Sequence, residues 1–425
     1  MNLALNNGKI FFRRKLIEAN LELRDGKIFE ISKKTFSAEK EIDCSGKIIL
    51  PGLIDGHVHF RIPGGEQKED WKTGSMAALH GGVTTVIDMP NTNPPLNSIQ
   101  ALKEKKAIVE KDALVNYFFH FGATNSNLEE LKELNDAKIA SIKVFMGSST
   151  GNMLVENPII QRKIFEIAKK KDLAVSVHAE DEKIIKENIE KFENENSPSI
   201  HSKIRSNLAE KIAVANALKI QKEAGNKLHL LHISTREAIA LIKKAKLNDK
   251  KISCEATPHH LFLTKNAMDK MGNFAKMNPP LREKKDVVAL WNGIKNGTIS
   301  TIGTDHAPHR REEKEKNYWE APSGVPGIET MLPLLLNAVN EKKLKLEKVV
   351  ELCCENPAKI FSIKNKGFIE QGFDGDLAVV DLKKENIING KDLFTKCKWS
   401  PFEGWKLKGV VEKTVVGGKL LYENE

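Results

Sequence analysis

Apolar runs of six to eight residues recur through the middle of the chain, at 48–54, 84–89, 114–121, 139–146, 173–178, 227–233, 251–257 and 299–304. Between most of them apolar residues return every three or four positions, as at 159–170, 208–223 and 235–246. The runs read as buried strands and the intervening stretches as amphipathic helices. Eight strands alternating with helices predict a parallel sheet, and the number predicts an α/β fold of the closed (β/α)8 TIM-barrel type. A doubly wound open sheet is the alternative, but its Gly-rich dinucleotide fingerprint is missing after the first strand.

Both ends of the chain have another pattern. Short strands are predicted at 9–12, 19–24 and 27–31, with Asp25-Gly26 as a turn, and again at 376–381 and 410–421, with Gly417-Gly418 as a hairpin. The two β-rich ends predict one small β-sandwich domain from residues 1–50 and 365–425, flanking a barrel at 51–364.

Composition narrows the class. Of 425 residues, 40% are hydrophobic and 29% charged, which describes a chain able to bury a large core. The formal net charge is +10. Lysines are spread along the whole chain and runs such as Arg310 to Lys316 mix both signs, so the charge reads as a solvated surface that attracts anionic small molecules, not as a nucleic-acid footprint. Five cysteines without a CxxC pair argue against a disulfide scaffold or a thiolate zinc site. The first residues lack a signal-peptide pattern, and no apolar run reaches membrane-spanning length. A cytoplasmic protein acting on a small molecule, with no nucleic-acid or membrane partner, is expected.

The chemistry starts at Asp55-Gly56-His57-Val58-His59. Two residues apart on a strand, His57 and His59 point to one face and can hold one divalent cation. Later strand ends supply Lys143, His178, His232 and Asp305. In a barrel these ends converge on one face, where active sites sit. Any one histidine taken singly reads better as a satisfied core residue; it is the set that points to a metal centre. Lys143 has two readings. Its ammonium can snorkel to solvent, or its amine can take up CO2 as a carbamate, turning a repelling cation into an anionic ligand.

The segment from Pro51 to Arg61 resembles the amidohydrolase superfamily, and within it the dihydroorotases. So do Glu69-Asp70-Trp71-Lys72-Thr73-Gly74, the stretch from Gly81 through Met89-Pro90-Asn91-Thr92 to Pro94, Asn278-Pro279-Pro280-Leu281-Arg282, Thr304 to His309, and Ser323 to Glu329. The likeness runs over nearly the whole chain. It implies a (β/α)8 barrel with a β-sandwich flank and two Zn2+ per subunit held by His57, His59, Lys143, His178, His232 and Asp305. It also implies a CO2-derived carbamate on Lys143 bridging the metals. Some bacterial members use an aspartate in the following loop instead; here residues 147–152 carry no carboxylate, which favours Lys143.

The implied reaction is the reversible cyclisation of N-carbamoyl-L-aspartate to L-dihydroorotate with loss of water, a step of pyrimidine synthesis. In the hydrolytic direction a bridging hydroxide attacks the ring carbonyl, and Asp305 serves as acid and base. Arg61, Asn91 and His309 are implied to hold the substrate's unreactive carboxylate and Asn278 to contact the pyrimidine edge. On the residues alone, Arg61 also reads as a surface ion pair, and Asn91 and Asn278, both near prolines, as turn caps.

The rivals are a related cyclic amidohydrolase (allantoinase or dihydropyrimidinase) and a non-catalytic structural partner of a transcarbamoylase. Homo-oligomerisation and such a partner stay open. His259 and His260 read as supports or packing, and His306 as shaping its loop. His80, His120, His201 and His229 read as structural, and Gly147 to Met153 as a lid.

Overall fold

The computed structural model describes residues 2–149 and 153–424. Eight parallel strands form the central sheet: β1 Leu53–Val58, β2 Val83–Asp88, β3 Asn116–Gly122, β4 Ile139–Phe145, β5 Ala174–His178, β6 Lys227–Leu230, β7 Ile252–Ala256 and β8 Thr301–Ile302. Each pairs with the next in chain order. A parallel bridge between Val58 and His306 and the bond from His59 N to His306 O (2.9 Å) bring the eighth strand's end back to the first. The predicted helices are present as Pro158–Lys170, Asn207–Ala224 and Arg236–Asn248. Asn157, Ser206 and Thr235 cap them through side-chain oxygens, supplying acceptors to amides that have no partner inside the helix.

Two predicted strands are corrected. The run 48–54 is not one strand: Ile48–Pro51 belongs to a flanking sheet and Leu53–Val58 to the barrel. The change occurs at Gly52, whose N–H turns to Asp376 O (2.8 Å), while Leu53 N bonds Gly82 O (3.1 Å). A Cβ on Gly52 would lie 2.2 Å from Thr84 Oγ1, so only glycine passes there. The run 299–304 shrinks to Thr301–Ile302. Beyond it the Asp55 carboxylate replaces ladder bonds, accepting from Thr304 N (3.0 Å) and Thr304 Oγ1 (2.5 Å).

The chain's ends build a sandwich. One sheet runs Lys27–Ser32, Asn20–Arg24, Leu3–Asn6, Lys40–Asp43; the other runs Lys419–Glu423, Lys406–Val416, Leu377–Ile387, Ile48–Pro51, Lys9–Phe12, Lys15–Glu18. Leu3, Leu5, Leu21, Leu23, Ile49, Leu377, Val379 and Val415 fill the space between them. The alternation along Ile48-Ile49-Leu50 shows why this second sheet is apolar on both faces. Ile49 enters the sandwich core, while Ile48 and Leu50 join the barrel core together with Ala378 and Val380.

Inside the barrel, below the site, lies a polar layer. His120 donates from Nε2 to Gly56 O (2.8 Å) and accepts at Nδ1 from Ser141 Oγ (2.5 Å), which bonds Ser176 Oγ (2.8 Å). His229 Nδ1 meets Ser253 Oγ (2.8 Å), and both rings stand edge-on to Phe361. These two histidines are structural, as expected.

Candidate active site

The predicted ligands assemble at the C-terminal mouth of the barrel. His57 lies within β1 and His59 just past it; Lys143 lies on β4, and His178 ends β5. His232 and Asp305 follow β6 and β8. His57 Nε2 and His59 Nε2 approach one atom, Asp305 Oδ1, at 3.1 and 3.0 Å. The three ligand atoms all lie within 4.8 Å of one another. On the other side His178 Nδ1 faces His232 Nε2 at 3.0 Å, and the His57 and His232 ring centres are 5.3 Å apart. Lys143 is buried, its amine 4.4 Å above the Phe145 ring, with no carboxylate among the described residues in ion-pair reach.

The backbone is strained where these groups gather. Arg61, His232 and Asp305 have φ of 66°, 36° and 46°, in the left-handed region that costs side-chain-bearing residues energy. Such outliers persist only where the surroundings over-determine them, and they cluster at functional sites.

Outer partners decide which nitrogen of each ring faces inward. His57 donates from Nδ1 to Glu255 Oε1 (2.8 Å), and His59 from Nδ1 to Asn91 Oδ1 (2.9 Å). His178 Nε2 lies 2.9 Å from Glu180 Oε2, which is paired with Arg205. Each of these rings therefore keeps its other nitrogen for the centre, the arrangement that metal-binding histidines require. His232 Nδ1 is buried without a hydrogen-bond partner among the described residues. Four imidazoles and a carboxylate fit divalent cations of the zinc class.

The charges follow from burial and proximity. Burial alone would raise the Asp305 carboxyl, but His57 and His59 outweigh it and hold the group well below the usual carboxylate range. Burial lowers the Lys143 amine to about 7, against the opposing pull of Asp305 and Glu255.

Arg61 is 8% exposed and turned toward His309, with Nη2 3.2 Å from His309 Nε2 and Nε donating to Pro308 O (3.3 Å). Among the described residues it has no carboxylate within ion-pair distance, so the surface-ion-pair reading of this residue fails. Asn91 supports His59. Asn278 Oδ1 accepts from His201 Nε2 (2.9 Å), and His201 Nδ1 meets Tyr318 Oη (2.8 Å). His201 thus orients a predicted substrate residue. Among the described residues no hydrogen bond joins Asn278 to the histidine cluster.

His260 is a support, bonded to Thr257 Oγ1 (2.7 Å) and Pro279 O (3.0 Å). His259 is buried with Nε2 unpartnered among the described residues. His306 shapes its loop by accepting Gly327 N at Nδ1 (3.1 Å), and His80 pairs with Glu329 (2.6 Å). Residues 150–152 of the predicted lid lie outside the described residues.

Sequence reasoning missed Glu255, Glu180 and the role of His201. A signal existed for the first two: Glu255 lies inside an apolar strand run and Glu180 just past one, and burying a carboxylate is costly unless it is paired.

The profile of the Amidohydrolase family matches residues 48–421. A dihydroorotase of Methanosphaera stadtmanae is 41% identical, over 100% of this chain and 97% of that protein. A dihydroorotase of Pyrococcus horikoshii is 39% identical, over 98% of this chain and 91% of that one. Among solved structures, the L-hydantoinase (dihydropyrimidinase) of Arthrobacter aurescens superposes with a TM-score of 0.96 at 31% identity, covering 99% of this chain and 96% of that one. With that match over most of its length, and with the histidines and Asp305 gathered at the barrel mouth, the chain belongs to the amidohydrolase family.

Proposed function

We propose that the protein is a dihydroorotase, interconverting N-carbamoyl-L-aspartate and L-dihydroorotate. One observation carries the substrate: Arg61, a buried guanidinium two residues beyond His59, has no carboxylate within ion-pair distance among the described residues. A buried cation with no carboxylate in direct contact is costly, and a planar carboxylate on the substrate is the partner its fork suits. Relatives about 40% identical over nearly their whole length are dihydroorotases, which supports the same reading.

His57, His59 and Asp305 would hold one zinc ion, and His178 and His232 a second. Lys143, once a carbamate, would serve both. The carbamate forms when the neutral amine bonds to the carbon of CO2 and its proton leaves to water. The chemistry the two ions supply is Lewis acidity toward a ring carbonyl and toward water. Asp305 carries the proton. In ring opening its carboxylate accepts a proton from the attacking water and returns it to the departing ring nitrogen. In cyclisation it takes a proton from the ureido nitrogen. A carboxylate held well below its usual range is ionised at neutral pH. Arg61, beside His309, grips the unreactive carboxylate, and Asn278, set by His201, meets the ring edge.

The reading carries with it a small-molecule substrate and a cytoplasmic setting. Five buried free cysteines agree with a reducing compartment. Among the described residues, no helix is long and apolar enough to cross a membrane.

The test is ring opening by the zinc-reconstituted, bicarbonate-treated protein, with L-dihydroorotate, dihydrouracil and allantoin assayed in parallel. Turnover of L-dihydroorotate alone is expected. Turnover of a ring without the carboxylate would overturn the substrate, and no turnover with metal bound would overturn the activity.

A further inference from the structure

Lys68 is assigned no role by the chemistry above, yet its amine reaches the carboxylate-binding corner. Lys68 Nζ lies 3.2 Å from His309 Nδ1 and 3.0 Å from Glu313 Oε1. Its backbone is fixed by a turn, Lys68 N bonding Gly65 O (2.8 Å), and Glu313 is fixed by accepting Arg310 N (2.9 Å). An ammonium only donates. His309 Nδ1 must therefore present its lone pair, and the ring's single proton sits on Nε2.

The other face of the ring offers one contact to each tautomer. Nε2 lies 3.1 Å from Ser323 O, which only accepts. It also lies 3.2 Å from Arg61 Nη2, which only donates. With the proton on Nε2, His309 bonds the carbonyl and the Arg61 hydrogen turns to another acceptor, so two of the three polar contacts to the ring, Lys68 and Ser323 O, are satisfied. In the opposite tautomer Nδ1–H would confront the ammonium, and the Nε2 lone pair would face Ser323 O and consume an Arg61 hydrogen. Glu313 Oε2, 3.9 Å from Nδ1, is too distant to rescue that state. The doubly protonated ring is also disfavoured: burial first, then Arg61, Lys68 and Lys314, press the His309 imidazole well below its ordinary value.

We propose that Lys68 is a positioning residue for carboxylate recognition: it locks His309 in the Nε2–H tautomer and so leaves the terminal nitrogens of Arg61 unspent for the substrate. The effect on KM rests on the dihydroorotase reading; the effect on His309 does not.

The experiment is nitrogen NMR of the full-length protein labelled with 15N-histidine, the His309 signals identified by their loss in His309→Asn. In the wild-type protein Nδ1 is expected unprotonated and Nε2 protonated, a result that needs no variant to fold. In Lys68→Met the Nδ1–H form should appear, and Lys68→Arg should restore the original state. In the holoenzyme Lys68→Met should raise KM for L-dihydroorotate by about tenfold, the size of one charge-assisted hydrogen bond, with the loss in KM and not in kcat. Wild-type His309 protonated at Nδ1 would overturn the proposal, as would Lys68→Met keeping both tautomer and KM. If the wild-type enzyme opens no L-dihydroorotate, the substrate reading fails, and the NMR result still decides whether Lys68 sets the tautomer.

Discussion

His178 Nδ1 and His232 Nε2 face each other across 3.0 Å. Two ring nitrogens at that distance share one hydrogen, or give their lone pairs to a cation that displaces it. His232→Asn should therefore remove one metal and leave the one at His57, His59 and Asp305. Asparagine tolerates the left-handed backbone that His232 adopts, with φ of 36°, so the loss of a ligand is separated from backbone strain. Metal analysis after exhaustive dialysis should give about half the wild-type content. An unchanged metal content would exclude His232 as a ligand.

Glu255 stands behind both halves of the centre. It accepts from His57 Nδ1 (2.8 Å) and from His232 N (3.2 Å). Room for it exists because residue 303 is glycine: a Cβ there would lie 2.2 Å from Glu255 Oε2. Glu255→Gln keeps the shape but loses the charge that orients His57. Metal affinity should fall by roughly 10- to 100-fold, read as faster loss of zinc to a chelator. Equal chelation rates would show that His57 needs no such partner.

Much of this arrangement was legible in sequence. The spacing of His57 and His59, and the ligand-type residues at later strand ends, led to the centre because barrel topology sends every strand's C-terminal end to one mouth. The break at Gly52 was not legible. Ile48 to Ile54 is apolar throughout, and an apolar run does not say that its two halves join different sheets. Glu255 and Glu180 were missed because their meaning lies in packing. Glu255 acts on His57, 198 residues away in the chain, and only the closure of the barrel brings them together. His201 reads as an isolated histidine until Asn278 folds against it.

Asp305 is held ionised by the histidines around it. Asp305→Asn keeps the size and suits the left-handed backbone at this position, φ 46°. It removes the group that accepts the proton. Turnover should fall by about 10²- to 10⁴-fold with the circular dichroism spectrum unchanged. A variant retaining wild-type kcat would take Asp305 out of the proton transfer.

Lys143 is set up to react with CO2. Its amine, lowered to about 7 by burial, is protonated below that pH and free above it. Activation of metal-free protein by zinc and bicarbonate should accordingly accelerate as pH rises through 7. A carbonyl-region 13C signal from labelled bicarbonate should accompany it. Lys143→Arg, whose guanidinium stays charged, should show neither the signal nor the activation. Full activation of that variant would exclude the carbamate.

The buried neutral histidines outside the metal set predict acid sensitivity. Burial, then Arg205 and Lys276, lowers His201 from 6.5 to about 3. His260 falls from 6.5 to about 4, mainly through burial, with Arg282 adding to it. As pH drops through 6.5 the unfolded chain binds protons at both positions while the folded chain does not. The unfolded state then holds more protons, so stability falls with falling pH, and the loss levels off only below the folded values. At pH 4.5 each ring should have cost on the order of 2 kcal/mol. His260→Gln can still donate to Pro279 O but does not titrate. Between pH 6.5 and 4.5 its stability should therefore fall less steeply than wild type, by roughly 1 kcal/mol per pH unit. Urea unfolding at pH 6.5, 5.5 and 4.5 measures both slopes, and parallel slopes would mean that His260 is already protonated in the folded protein.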